Sequence, residues 1–212
     1  MKKLIGGIVA FFLFTILPSA TVKQEYFEGK IVYDIIYLST TDGKPYSKPN
    51  YDFSPKQTYY TNAKNYKSYR ADGKLEQLYN AKDNTYYYCG IADNSVTIID
   101  AGQGYGAAEV VKSTAKETIL GYECNSITLK KIDSETTYFY SDKIKVDPKP
   151  FLKHYLGNWN QYLYETNGAL PLKYVVKSKE YTMIATATSI EKMKFNKKFF
   201  DIDAEIPTHK GN

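Results

Sequence analysis

Arginine, cysteine, histidine and tryptophan are scarce in this sequence, and the shortage of arginine narrows the classes of protein that it encodes. The 212 residues include a single arginine, Arg70, with two cysteines, two histidines and one tryptophan, and the formal net charge is only +5. Nucleic-acid binding favours a concentrated basic face with arginines that read base edges. A modest excess of scattered lysines does not provide such a face, so we expect no nucleic-acid partner.

A recognisable catalytic apparatus is also missing. There is no Gly-x-Ser-x-Gly elbow, and His154 and His209 have no cysteine or carboxylate at the spacing of metal ligands. Asp201, Asp203 and Glu205 alternate near the C-terminus, but the glycine turn of a calcium loop is absent. We therefore predict a protein that is not an enzyme and uses no cofactor or metal, and we rank a hydrolase with an unrecognised site third among the functions considered.

The N-terminus has the three parts of a secretory signal peptide. Lys2 and Lys3 precede an apolar run, Leu4 to Leu17, and Pro18-Ser19-Ala20 follows it. The run is shorter than the roughly 20 residues of a membrane-spanning helix, so we expect no stable membrane span. We predict a signal peptide over 1–22 and a single β-rich envelope domain over 23–212, periplasmic or else secreted.

Two cysteines, Cys89 and Cys124, lie in the exported part of the chain. An oxidising compartment permits a disulfide between them. Two buried thiols in neighbouring strands are the alternative, because sequence alone does not bring two cysteines within bridging distance.

Tyrosine is the unusual abundance, with 22 residues against ten phenylalanines. Tyrosine favours strands, and strand-like runs recur here with turns every eight to twelve residues or so, which is typical of antiparallel sandwiches and barrels. We predict an all-β fold, an antiparallel curved sheet or half-open barrel with one or two short helices. The candidate helices are Ala107 to Ala115 and Pro150 to Leu156, and the segment from Asp142 to Asn158 is expected to cross or plug the sheet.

The stretch Gly102-Gln103-Gly104-Tyr105-Gly106-Ala107 matches the dinucleotide-binding fingerprint, in which glycines admit a pyrophosphate at a helix N-terminus. Export, antiparallel flanking strands and the lack of further βα alternation oppose that interpretation. We therefore interpret the stretch as a loop between strands.

The aromatic clusters allow two interpretations, ordinary sheet packing or the lining of a hydrophobic groove or cavity. Tyr86-Tyr87-Tyr88 and Tyr138-Phe139-Tyr140 place rings on both faces of their strands, because successive side chains point oppositely. One face packs the core, and the other must be covered, line a cavity or stay exposed. The cavity candidates are Tyr33, Tyr37, Tyr87, Tyr138, Tyr140 and Trp159.

The order of several short segments resembles that of the DUF4412 group of exported bacterial domains. Phe200 to Asp203 resembles the closing motif of that group, with Asp203 in place of its proline. The segments that carry the resemblance are Phe27 to Ile31, Glu117 to Cys124, Thr136 to Ser141, Gly168 to Lys173, Tyr181 to Thr188 and Phe200 to Asp203. These domains are similar in architecture to periplasmic lipoprotein carrier and acceptor proteins, so the resemblance implies a half-open barrel with helices in its mouth and a hydrophobic cavity. It carries over no functional residue, since Arg70 does not align with the cavity arginine of the carriers.

Together these observations predict an exported, non-enzymatic binding protein. Its ligand is expected to be apolar or amphiphilic, a lipid or a lipoprotein acyl chain, held in the concavity of the sheet. The alternative is a structural or protein-interaction module that binds another envelope protein through a face or an edge of the sheet.

Overall fold

The computed structural model describes residues 25–47, 53–90, 95–104 and 106–211. The predicted signal peptide lies outside these residues and stays a prediction. Within the described ranges, no helix is long and apolar enough to cross a membrane.

Twelve strands account for most of the described chain. They are β1 (Gly29–Ser39), β2 (Lys56–Thr61), β3 (Asn65–Arg70), β4 (Leu75–Asn80), β5 (Thr85–Cys89), β6 (Val96–Asp100), β7 (Glu109–Ile119), β8 (Tyr122–Lys130), β9 (Glu135–Lys145), β10 (Ala169–Lys177), β11 (Tyr181–Lys192) and β12 (Thr208–Lys210).

All twelve strands belong to one sheet, in the order β12-β6-β5-β4-β3-β2-β1-β11-β10-β9-β8-β7. Neighbouring strands are antiparallel except for the short β12, which runs parallel to β6 at one edge. The predicted fold class, an antiparallel β fold with short helices, is therefore confirmed, with one parallel pair added.

Strand β1 lies at the centre of the sheet between β2 and β11, and its alternating sequence explains its position. Ile31, Tyr33 and Ile35 are buried on one face, as a period of two requires. Tyr33 and Ile35 lie opposite Ala187 and Ala185 of β11. The small alanines leave room for the large side chains of β1, so the two strands pack closely on this face.

Within the part of the chain that the structure describes, helical structure is confined to one connection between β9 and β10. It comprises two short 3-10 turns, Lys149–Phe151 and Leu156–Asn158, and the helix α1, Trp159–Glu165. The helix predicted over 150–156 therefore divides into turns, and the regular helix begins later. Gly157 and Asn158, within the second of these turns, have positive φ angles, so the chain changes direction there before α1 begins.

The helix predicted over 107–115 is wrong, because that segment belongs to β7. Residues 109–113 pair in register with residues 126–130 of β8. Alanine, glutamate and lysine in this stretch are compatible with a helix, but the neighbouring strand supplies hydrogen bonds along its length and tertiary pairing overrides the local preference.

The connection that carries α1 packs on one face of the sheet, which we call the inner face. Phe151, Tyr162 and Leu163 are almost completely buried there, against the main hydrophobic core. Residues 146–158 of the segment predicted to cross or plug the sheet, 142–158, lie in this connection, whereas residues 142–145 belong to β9. The opposite face, the outer face, carries a second cluster of Leu75, Leu78, Cys89, Val96 and Phe200, against which part of the C-terminal segment packs.

Cys89 and Cys124 are both buried free thiols, so the disulfide considered from the sequence is not formed in the structure. Cys89 belongs to the outer-face cluster and Cys124 to the main core. Their strands, β5 and β8, are not neighbours in the sheet. The alternative of buried thiols holds, although not in adjacent strands.

Candidate functional site

Two adjoining hollows lie on the inner face, where α1 meets the sheet. Their volumes are about 290 Å³ and about 190 Å³. They share Tyr59, Gln77, Tyr138 and Trp159 as lining residues. We call them the inner-face hollows, and the other aromatic rings that line one or the other are Tyr33, Tyr66, Tyr86 and Tyr174.

Neighbouring strands β2 to β5 place a row of tyrosines beside the hollows. Tyr66 lies opposite Tyr79 and Tyr79 opposite Tyr86 in the strand register. The ring of Tyr66 stacks on Tyr59 and on Tyr79, with centroids 5.4 Å and 5.5 Å apart. Cross-strand ring pairs of this kind stabilise a sheet, so one wall of the hollows is held by the fold itself.

Burial keeps these tyrosines neutral. It raises the pKa of Tyr33, Tyr66 and Tyr174 well above the ordinary value, and it raises the pKa of Tyr138 to about 12. Their hydroxyls therefore keep the proton at physiological pH and act as neutral hydrogen-bond donors or acceptors.

His154 lines the larger hollow. Its Nε2 lies 2.6 Å from the hydroxyl oxygen of Tyr66, and its ring centroid lies 4.3 Å from that of Tyr79. Burial lowers the pKa of His154 to about 4, so the imidazole is neutral at pH 7. Its Nδ1 is buried without a partner.

A set of amide and carboxylate groups lies beside the rings. Gln57 Nε2 donates a hydrogen bond to Glu76 Oε2 over 2.6 Å, and the Tyr174 hydroxyl donates to Gln57 Oε1 over 3.1 Å. The Tyr86 hydroxyl donates to Gln77 Oε1 over 2.9 Å. The inner-face hollows therefore combine apolar ring faces with oriented neutral polar groups, and no lysine or arginine of the described ranges lines them.

Trp159, the first residue of α1, borders both hollows. Its indole stacks on Tyr162, with ring centroids 5.2 Å apart. The indole Nε1 is buried and has no hydrogen-bond partner. An unpaired buried N–H costs about 1–3 kcal/mol, so an acceptor that reached Trp159 would recover part of that cost.

Three of the six sequence-predicted cavity residues, Tyr33, Tyr138 and Trp159, line the hollows. Tyr140 does not line them and instead contacts Tyr162 at 6.4 Å between ring centroids. Tyr37 lies farther along β1, where its ring packs on other aromatic rings such as Tyr181.

Tyr87, another of the cavity candidates, lies on the outer face of the sheet and does not line the inner-face hollows. It packs against the cluster that contains Leu78, its partner in the strand register. Side chains alternate along a strand, so the neighbour Tyr86 faces inward instead.

Sequence reasoning also missed several residues of the hollows. For Gln57 and Tyr59 the sequence did offer a signal. Side chains two residues apart in a strand share a face, so Gln57 and Tyr59 of β2 lie on the same buried face as Thr61. His154 offered no such signal, because its partner Tyr66 lies 88 residues away in the chain.

The described residues of the glycine-rich stretch, 102–104 and 106–107, lie in the loop between β6 and β7, as expected. A strand follows it rather than the helix that a dinucleotide-binding unit requires. Among the described residues, no group of three histidine, cysteine, aspartate or glutamate side chains is placed to hold a metal ion.

Comparisons with known proteins find no matching family model and no matching curated protein. The resemblance to the DUF4412 group therefore stays a prediction. Two solved structures of PNGF-II, in space groups C2 and P21, are similar to this chain with TM-scores of 0.45 and 0.47 and 17% sequence identity. The matches cover 86% and 85% of this chain but only 31% and 32% of the PNGF-II chains, so this chain spans about a third of their length.

Proposed function

We propose that this protein is an exported binding protein that holds one small amphiphilic ligand in the inner-face hollows. The observation that carries the proposal is Trp159, which lines both hollows and whose buried Nε1 has no hydrogen-bond partner among the described residues. A ligand with an apolar body and one acceptor oxygen would cover the rings and complete this hydrogen bond.

The ring faces supply the affinity in this proposal. Each Å² of apolar surface removed from water contributes about 25 cal/mol. The hollows lie at or below the lower end of ordinary ligand pockets, which is about 300 Å³. Their size favours a single acyl chain or ring system over a bulky ligand with several chains.

The neutral lining selects the head group. Tyrosine hydroxyls, glutamine amides and the neutral His154 surround the hollows, and none of the described lysines or arginines lines them to pair with a carboxylate. A buried carboxylate without a partner is costly. We therefore favour an ester or hydroxyl oxygen, as in a lipid or a lipoprotein acyl chain, over a free fatty acid.

The test uses the full chain, exported and purified without detergent. Native mass spectrometry with solvent extraction reports any ligand that co-purifies. Binding of a fluorescent fatty acid and of its methyl ester is then compared by titration. We expect the ester to bind more tightly, and Trp159→Phe, which keeps a ring but removes the N–H, to weaken ester binding roughly fivefold.

Tyr87→Ala is the matched control, since Tyr87 lies on the outer face and its loss should leave the affinity for the ester unchanged. Equal affinity of wild type and Trp159→Phe for both probes would contradict the assigned role of the indole. Failure of both probes to bind, with no co-purified ligand, would overturn the proposal as a whole.

A protein-interaction module is the second candidate, and strand β7 favours it. This strand of 11 residues forms one edge of the sheet, and much of it is exposed. An exposed edge offers unpaired backbone groups to a strand of another protein. Lys112, on this edge, has 72% of its side chain exposed and is a suitable position for a photo-crosslinker that would identify an envelope partner.

A further inference from the structure

A third hollow, separate from the inner-face hollows, lies between the glycine-rich loop and the segment that carries α1. Its volume is about 520 Å³. Gly104 and Gly106 border it on one side, and Tyr155, Asn158 and Tyr164 are among the residues on the other. We call it the loop hollow.

Hydrogen bonds fix the two sides of the loop hollow to each other. The Tyr155 N–H donates to the Ala101 carbonyl over 2.7 Å. Gln161 bonds both backbone groups of Ala108, because its Nε2 donates to the carbonyl over 2.8 Å and its Oε1 accepts from the N–H over 2.9 Å. Gly104 packs so closely on Tyr155 that a Cβ at this position would overlap it. The hollow is therefore held open by a defined framework.

Asn158 provides the second observation. This residue lines the hollow and is only 4% exposed, and among the described residues its buried Oδ1 has no hydrogen-bond partner. Its Nδ2 donates to Gly106 O over 2.9 Å and to Gln161 Oε1 over 3.2 Å. Because both of these partners are acceptors, the amide orientation is fixed, and Oδ1 is an acceptor that lacks a donor.

The rest of the lining restricts the ligand class further. None of the described residues that line the loop hollow is charged. Leu152, Tyr155 and Tyr164 are 52%, 45% and 72% exposed at the hollow, and they are three of the most exposed large hydrophobic side chains in the described chain. A neutral ligand is therefore expected, with an apolar face for the rings and hydroxyl donors for the amides.

We propose that the loop hollow is a second binding site, for a neutral saccharide. A pyranose ring has an apolar C–H face that stacks on a tyrosine ring and equatorial hydroxyls that donate to amide oxygens. Tyr164 supplies the exposed ring, and Asn158 Oδ1 accepts a hydroxyl. A phosphorylated or carboxylated ligand fits less well, because no cationic side chain in the described part of the chain lines the hollow.

The test uses the exported full chain and saturation-transfer difference NMR with maltotriose, cellotriose and chitotriose as probes. We expect saturation transfer to the ring C–H protons of at least one sugar. Tyr164→Ala should weaken its binding about tenfold or more, whereas Tyr164→Phe, which keeps the ring, should bind within about twofold of wild type. Tyr164 is mostly exposed, so neither variant removes a core side chain.

Tyr88→Ala is the matched control, since Tyr88 is also exposed, at 42%, but does not line the loop hollow. Sedimentation with insoluble amylose, cellulose or chitin tests whether the saccharide is part of a polymer. Sedimentation of the protein with a polymer indicates a polymer surface as the ligand, and binding of the soluble trisaccharides alone indicates a free oligosaccharide. The proposal is overturned if no probe shows transfer at about 10 mM, or if Tyr164→Ala binds as tightly as wild type. The fluorescent ester of the inner-face hollows should not displace the sugar, so the two proposals fail independently.

Discussion

His154 is the residue whose burial has the clearest consequence for stability. It lies among the rings of Tyr66, Tyr79 and Tyr86, where a positive charge would lose its hydration. Its pKa is lowered to about 4 from an ordinary value near 6.5. Between about pH 4 and pH 6.5, the unfolded chain therefore binds a proton at this residue that the folded chain does not. The stability that neutral His154 contributes is complete above about pH 6.5 and is lost as the pH falls towards 4.

We expect His154 to contribute a loss of about 3 kcal/mol in the free energy of unfolding between pH 7 and pH 4. Urea unfolding at a series of pH values measures this loss. His154→Gln should be less stable at pH 7 but should lose less stability on acidification. His209→Gln is the control, since His209 is exposed on β12, and its profile should follow that of wild type. Parallel profiles for His154→Gln and wild type would contradict the prediction.

At the scale of elements, the end of α1 depends on one glycine. Gly168 has a φ of +80°, and its N–H donates to the Leu163 carbonyl over 2.7 Å as the chain turns into β10. A Cβ at this position would overlap the Val146 carbonyl oxygen. Gly121, in the turn between β7 and β8, has nearly the same φ, +79°, but no atom lies within 4 Å of the position that a Cβ would occupy there.

Gly121→Ala should therefore cost only the backbone strain, about 1–2 kcal/mol. Gly168→Ala should cost that strain and a further 1–3 kcal/mol or so, because the added methyl group overlaps its neighbour. Urea unfolding of both variants, with comparable m-values, measures the difference. Equal losses in the two variants would show that Val146 moves aside without cost.

Strand identity was more predictable from the sequence than strand register. The alternation of Ile31, Tyr33 and Ile35 identifies β1 and its buried face directly. The three identical residues Tyr86-Tyr87-Tyr88 show no alternation of apolar and polar side chains. Which of their rings faces inward is determined by the pairing of β5 with β4 and β6. The hollows depend on such pairings between distant strands, and a single sequence does not reveal them.

At the scale of the whole molecule, one sheet separates two packed clusters. The inner face carries the main core and the inner-face hollows, and the outer face carries the smaller cluster around Phe200. Phe200 is 3% exposed, and its ring contacts those of Phe195 and Phe199 at centroid distances of 5.1 Å. Stability and ligand binding are therefore expected to respond separately to changes on the two faces.

Phe200→Ala tests this separation. Loss of a buried phenylalanine typically costs about 3–5 kcal/mol, so the urea midpoint should fall substantially. Phe199→Ala, which removes a partly buried ring from the same segment, should cost less. At a temperature and pH where both variants are folded, the affinity of the inner-face hollows for the fluorescent ester should match that of wild type. A loss of affinity in proportion to the loss of stability would instead show that the two faces of the sheet are coupled. The coupling would pass through the strands β2 to β5, which both faces share. In β2, for example, the adjacent residues Tyr59 and Tyr60 pack against opposite clusters.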